Sequence, residues 1–221
     1  MEELMGSLRM ISNGNVLLYI MKGVGFTLGI AFFAVVLGII VGTVLALARN
    51  YCTNGWTKVF KYIATAYIEV FRNTPLMLWI FIGLVFFPSI EFPQDVSKFF
   101  GLSRTELAVL FKAIIALVLF TSSVIAEIIR GGLNSIPKGQ FEAAYSQGFG
   151  QIATMWYIIL PQTIKIILPP MVNQVVNLIK NTSCMFLAGG AVDLISRTNA
   201  FAVGEGTGSA AGQCYIIGGI I

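Results

Sequence analysis

The sequence predicts an all-α integral membrane protein with about five transmembrane helices, and two observations carry this prediction. Hydrophobic residues make up 57% of the 221 residues and charged residues only 11%, whereas about a quarter of a typical soluble chain is charged. Residues 23–48 contain no charged side chain, and a helix of that length measures about 39 Å. Because the hydrocarbon core of a bilayer is about 30 Å thick, this segment can cross it.

The spans in the first half of the chain follow from the positions of the charged residues. The first span covers residues 17–48 or 23–48. The second covers residues 62–87 and carries Glu69 and Arg72 in its first half. We expect these two ionisable side chains to be paired or functional, because isolated charges are costly at membrane depth.

Three further spans are predicted in the second half. The third covers residues 107–126, with Lys112 close enough to one end for its amine to snorkel to the interface. The fourth covers residues 157–179 and is unusually polar for a membrane helix. The fifth begins near Gln213, and we expect it to be truncated, because a span needs about 20 residues.

The distribution of basic residues predicts the orientation of the chain in the membrane. The loop at residues 49–61 holds three basic residues and no acid, whereas the loop at 88–106 holds two basic and three acidic residues. Since basic loops remain in the cytoplasm, we expect an external N-terminus and a cytoplasmic segment at 128–155. We treat residues 1–221 as one transmembrane domain.

Several kinds of site are excluded by residues that the chain lacks. It contains no histidine, which excludes histidine-based catalytic triads and imidazole metal ligands. Its cysteines (Cys52, Cys184 and Cys214) have no paired spacing, so no zinc site is predicted. No phosphate-binding loop of the G-x-x-x-x-G-K-[ST] type occurs. The basic residues are scattered, which argues against nucleic-acid binding.

Small residues recur at helical spacing in the first span. Gly25 and Gly29 form one ridge, and Gly38, Gly42 and Ala46 form a second. Such ridges let helix backbones approach closely in lipid. We expect them to pack within the chain rather than to form a dimer interface.

A polar segment of small residues, at about 131–156, interrupts the hydrophobic spans. Ser135 can cap a short helix whose first turn contains Pro137, and Gly148 suits a left-handed residue that ends it. Within that helix, Ala143 and Ala144 have minimal bulk. A helix of this kind can enter a groove of another protein, so the segment predicts a cytoplasmic docking loop. Further along the chain, Pro161 permits a bend where the chain re-enters the membrane.

Several motifs resemble the polar amino acid subfamily of ABC importer permeases. They are Glu-Ala-Ala-Tyr-Ser-Gln-Gly at 142–148, Ile-Ile-Leu-Pro at 158–161, Glu-Val-Phe-Arg-Asn-Thr-Pro at 69–75, Ala-Glu-Ile-Ile-Arg-Gly-Gly-Leu at 126–133, Ile-Pro-Lys-Gly-Gln at 136–140 and Leu-Ile-Lys-Asn-Thr-Ser at 178–183. Together they cover most of residues 23–193.

The resemblance implies the permease subunit of a type I ABC importer in the bacterial cytoplasmic membrane. Such a subunit pairs with a like or different permease subunit and two cytoplasmic ATPases, which bind ATP and magnesium in its place. An extracytoplasmic binding protein delivers a polar amino acid such as glutamine, glutamate, aspartate, arginine or histidine. The residues expected to dock the ATPase are Gln140, Glu142, Ala143, Ala144 and Gly148.

Polar residues within the spans are candidates for the substrate path. Glu69 and Arg72 share a helix face, although a purely structural ion pair is an equally good interpretation. Glu127 and Arg130 have the same spacing and are expected to be a structural pair. The full set of path candidates is Glu69, Arg72, Thr74, Asn173, Asn177, Lys180, Thr182 and Ser183.

Three other functions remain as alternatives. A secondary transporter or channel working without ATP would show an internal repeat or a polar selectivity ring, and it would have no use for a docking loop. A membrane-embedded enzyme would need a nucleophile with a base or two matched carboxylates. A purely structural subunit would have no use for the polar stripe on the fourth span.

Overall fold

The computed structural model describes residues 14–52 and 54–184, and these residues form helices without a β-strand. The elements in chain order are α1 (Gly14–Tyr51), α2 (Thr57–Arg72), α3 (Leu76–Phe86), α4 (Gln94–Phe100), α5 (Arg104–Asn134), α6 (Lys138–Ser146), α7 (Gln151–Thr154), a π-helix (Met155–Ile159) and α8 (Leu160–Asn181). The fifth predicted span, near Gln213, lies outside the described residues.

Three helical segments in the described part of the chain are long and apolar enough to cross a membrane. They are Met21–Tyr51, Arg104–Asn134 and Gln151–Cys184, and they confirm the first, third and fourth predicted spans. Helices α2 and α3 together make a fourth if they are counted as one broken span. The chain is therefore a multi-pass membrane protein.

The second predicted span is not a continuous helix. Helix α2 ends at Arg72 and α3 begins at Leu76, where the sequence predicted a single run over 62–87. The backbone N–H of Asn73 still donates to the Glu69 carbonyl at 3.1 Å. Pro75 then offers no N–H, and its ring disfavours helical geometry at Thr74, which explains the break.

The contacts divide the chain into two compact units. Among the described residues, the first comprises 14–33, Met77–Leu117 and 179–184, and the second comprises Ala34–Leu76 and Val118–Leu178. The prediction of one domain over 1–221 stays a prediction.

In the second unit, α1 and α5 make a close backbone contact. A Cβ atom placed on Gly42 would lie 2.9 Å from Ile125 Cγ2 and 2.9 Å from the Ser122 carbonyl oxygen. Tyr67 of α2 joins the same interface, since its hydroxyl donates to the Leu119 carbonyl at 2.9 Å. The expected packing of this ridge within the chain is confirmed at Gly38 and Gly42.

In the first unit, the other ridge of α1 is open. Among the described residues, no atom beyond the local helix backbone lies within 4 Å of a Cβ placed on Gly25 or Gly29. Both glycines instead line an apolar cavity of about 470 Å³. The packing expected for this ridge is therefore absent from the described residues.

Two sets of hydrogen bonds near the start of α5 lie in the first unit. Lys112 Nζ donates to the Leu84 carbonyl of α3 at 3.1 Å, so the amine has a partner within the protein. That this amine snorkels to the membrane interface stays a prediction. Ser103 and Glu106 form a capping box in which each side chain accepts from the other's backbone N–H. This box fixes where α5 begins.

Candidate functional site

The predicted docking helix is α6, whose N-terminus differs in detail from the expectation. Pro137 occupies the N-cap position, and no side chain in the described part of the chain caps this end of the helix. The Ser135 hydroxyl donates instead to the Gly132 carbonyl at 2.7 Å, so the prediction that Ser135 caps the helix is wrong. The fixed backbone angle of Pro137 starts the helix in its place.

The C-terminus of α6 confirms the prediction for Gly148. This residue has φ of +84°, a backbone conformation that favours glycine. The N–H of Phe149 donates to the Ala144 carbonyl at 3.1 Å, and the N–H of Gly148 donates to the Tyr145 carbonyl at 3.0 Å. These two bonds form a Schellman motif, which satisfies carbonyl groups that would otherwise lack a partner.

A small apolar core holds α6 against the rest of the second unit. Leu133, Ile136 and Ile159 are buried there, and Phe141 of α6 packs against them. Ile159 is the last residue of the π-helix, immediately before α8 begins. The docking helix is thus attached to the end of α5 and to the start of α8.

Most of the predicted docking residues lie on the exposed side of α6. Gln140, Glu142, Ala143 and Gly148 are exposed, whereas Ala144 is only 2% exposed and faces the interior of its own chain. Of the two alanines, therefore, only Ala143 is available to a partner in this structure. The Gln140 side chain accepts a hydrogen bond from Gln162 Nε2 at 3.2 Å.

Three large apolar side chains are exposed in the segment that follows α6, and none of them was among the predicted docking residues. Ile152 is 77% exposed, Trp156 66% and Tyr157 76%. Trp156 is the last residue of the predicted docking segment at 131–156, and Tyr157 is the first residue of the predicted fourth span. A run of aromatic residues beside a docking loop was the signal that could have identified them.

A cluster of charged residues from three helices lies elsewhere in the second unit, and Glu127 is at its centre. Glu127 Oε2 accepts from Arg49 Nη1 of α1 at 2.9 Å. The Glu127 carboxylate also accepts from Arg130 Nε at 3.0 Å, and Arg72 Nη1 of α2 lies 3.8 Å from it. Arg49 Nη2 meanwhile donates to Glu69 Oε1 at 2.9 Å. We call these five residues the Glu127 cluster.

The cluster corrects one predicted pairing and confirms another. Glu69 and Arg72 are not partners of each other among the described ion pairs, because Arg49 reaches Glu69 and Arg72 approaches Glu127 instead. The pair formed by Glu127 and Arg130 is confirmed. Spacing along one helix predicts only neighbours on that helix, so it could not identify Arg49 as the common partner.

The Glu127 cluster contains more cations than anions. Three arginines face two glutamates, which leaves a formal charge of +1. Arg72 makes the longest of the contacts, at 3.8 Å, and its side chain is 41% exposed. Two residues further along the chain, the Thr74 hydroxyl donates to the Val70 carbonyl at 2.7 Å. The Thr74 hydroxyl oxygen can still accept a hydrogen bond.

The polar stripe predicted on the fourth span is present on α8. Asn173, Asn177 and Lys180 are all exposed, while Gln174 and Leu178 are buried. Pro169 and Pro170 lie inside this helix, and their presence there was not predicted.

The two hydroxyl residues that follow α8 have different surroundings. Thr182 is 1% exposed, and its hydroxyl donates to the Ile179 carbonyl at 2.7 Å. Ser183 is half-buried. The roles of these residues in a substrate path stay predictions.

The relatives found by comparison with known proteins are permease proteins of transport systems. The chain is 43% identical over 135 residues to the probable glutamine ABC transporter permease protein GlnM of Bacillus subtilis (strain 168), covering 60% of this chain and 56% of that protein. It is 33% identical to the putative glutamine transport system permease protein GlnP of Rickettsia typhi, covering 82% and 75%. The chain therefore spans only about half the length of GlnM.

The structural comparison agrees with these relatives. A crystal structure of an amino acid ABC transporter with histidines matches 96% of this chain and 89% of its own, with a TM-score of 0.75 and 28% sequence identity. The model of the family described as "Binding-protein-dependent transport system inner membrane component" matches residues 34–221, most of the chain. The chain belongs to this family of ABC transporter permeases, which the motifs had predicted.

Proposed function

We propose that this chain is the permease subunit of an ABC importer that moves a polar amino acid into the cell by alternating access. The observation that carries the proposal is α6, an exposed helix closed by a Schellman motif and attached by Phe141 to a buried core. A helix fixed in this way can transmit force from a partner to the membrane helices. The family membership supports the same interpretation.

The partners follow from the family and from the absence of a phosphate-binding loop in the sequence. Two cytoplasmic ATPases would bind ATP and magnesium, a second permease subunit would complete the path, and a binding protein would deliver the amino acid from outside. The basic loop at 49–61 supports an external N-terminus and a cytoplasmic α6.

Two observations support a polar amino acid as the substrate. The names of GlnM and GlnP point to glutamine, and the matching crystal structure holds histidine. In this chain, the Glu127 cluster has an excess of positive charge and Arg72 is partly exposed, and both features favour binding of the carboxylate group of an amino acid. We therefore propose Glu69, Arg72 and Thr74 as part of the substrate path.

The copurification of this chain with its ATPase tests the proposal. Replacing the exposed Glu142 by lysine reverses the charge of the docking surface, so we expect the ATPase to be lost while the permease stays folded. The matched control is Glu91→Lys, which makes the same change at an exposed position in the loop predicted to be external. We expect that control to retain the ATPase. A permease that binds no ATPase, or that binds it equally in both variants, would contradict the proposal.

A further inference from the structure

The Glu127 carboxylate connects three helices in the second unit. Arg49 at the end of α1 lies 2.9 Å from it, Arg72 at the end of α2 lies 3.8 Å from it, and Arg130 belongs to the same helix as Glu127. The Glu127 side chain is only 21% exposed, and partial burial strengthens such contacts. No other acid in the described residues contacts three arginines.

The same end of α5 is joined to the docking helix. Leu133 and Ile136, which follow Glu127 within three turns, form a buried core with Ile159 and Phe141. Asn50 Nδ2 donates to Asn134 Oδ1 at 3.3 Å, which adds a second link between α1 and this end of α5. Continuous contacts therefore lead from α6 through the end of α5 to α1 and α2.

We propose that Glu127 is a positioning residue that couples movement of the docking helix α6 to helices α1 and α2. A displacement of α6 moves the end of α5 through their shared core, and the Glu127 carboxylate carries this displacement to Arg49 and Arg72. Without the carboxylate, Glu69 is the one acid left among the described partners of the three guanidinium groups, and their repulsion favours separation of the helix ends. The proposal rests on the proposed function.

The test is the number of ATP molecules hydrolysed for each amino acid imported by the complete transporter in proteoliposomes, with glutamine as the probe. We expect Glu127→Gln to assemble with the ATPase and to hydrolyse ATP, but to need at least about threefold more ATP for each glutamine. Glu127→Asp should partly restore the wild-type ratio, because it keeps the charge. Glu91→Gln is the matched control, since Glu91 is exposed and forms no ion pair among the described residues, and it should leave the ratio unchanged.

A second variant separates coupling from charge balance. Arg49→Gln combined with Glu127→Gln leaves two arginines and one glutamate, the same formal charge of +1 as three arginines and two glutamates. We expect this double variant to assemble and to remain uncoupled. A wild-type ratio in either variant, or loss of assembly in both, would overturn the proposal. Absence of ATP-dependent uptake by the unmodified complex would instead contradict the proposed function.

Discussion

Single residues determine how closely the helices of the second unit approach one another. Gly42 allows α1 to contact α5 where a Cβ would lie 2.9 Å from a backbone oxygen. A few turns further, Arg49 joins the same two helices through Glu127 at 2.9 Å. A small residue and a charged residue thus stabilise one interface by close packing and by ionic hydrogen bonding.

We expect even one added methyl group at Gly42 to lower the stability of the folded chain. Replacing Gly42 by alanine forces Ile125 and the α5 backbone to move, which should cost about 1–3 kcal/mol. The measurement is the thermal unfolding of the purified chain in detergent. Gly25→Ala is the control on the same helix, because no neighbouring atom in the described part of the chain lies within 4 Å of its Cβ position. Equal unfolding temperatures for the two variants would contradict the packing described here.

Residue spacing in the sequence predicted part of the Glu127 cluster. The pair formed by Glu127 and Arg130 followed from helical periodicity, because both residues lie on one helix. The contact between Arg49 and Glu69 joins two helices, so no local pattern contains it. Arg49 and Glu69 were both visible in the sequence, but their pairing depends on tertiary packing.

Among the helices, α6 has the best-defined boundaries. Its start is set by Pro137 and its end by Gly148, whose φ is +84°. The sequence predicted Gly148 as the end, because the conformational freedom of glycine is a local property that needs no tertiary information. It placed Pro137 in the first turn with Ser135 as the cap, whereas Pro137 itself occupies the N-cap position. The break between α2 and α3 was not predicted, since the apolar run from 76 to 86 hides the effect of Pro75.

The end of α6 can be tested with two glycines of the same segment. Gly148→Ala should destabilise this end by about 1–2 kcal/mol, because a side chain disfavours the left-handed conformation. Gly139→Ala should stabilise the helix by up to about 1 kcal/mol, because Gly139 lies within α6 and has open space around it. Amide hydrogen exchange of residues 138–146 in the purified chain reports both changes. Faster exchange in the Gly139 variant, or unchanged exchange in the Gly148 variant, would contradict this account.

For the whole molecule, the sequence predicted the class of protein more fully than its detailed contacts. Three long hydrophobic segments with few charged residues were identified as membrane helices, and the polar segment between two of them was identified as the docking helix. The burial of Ala144 and the exposure of Trp156 could not be predicted in this way. They depend on which face of each helix packs against its own chain.

The central claim is that the chain imports an amino acid with energy from ATP hydrolysed by a partner. The most direct measurement is uptake of labelled glutamine by proteoliposomes that contain this chain with its ATPase, its partner permease subunit and its binding protein. We predict uptake only when ATP is present on the side of the ATPase. Uptake driven by a proton or sodium gradient, without ATP or the ATPase, would contradict the account.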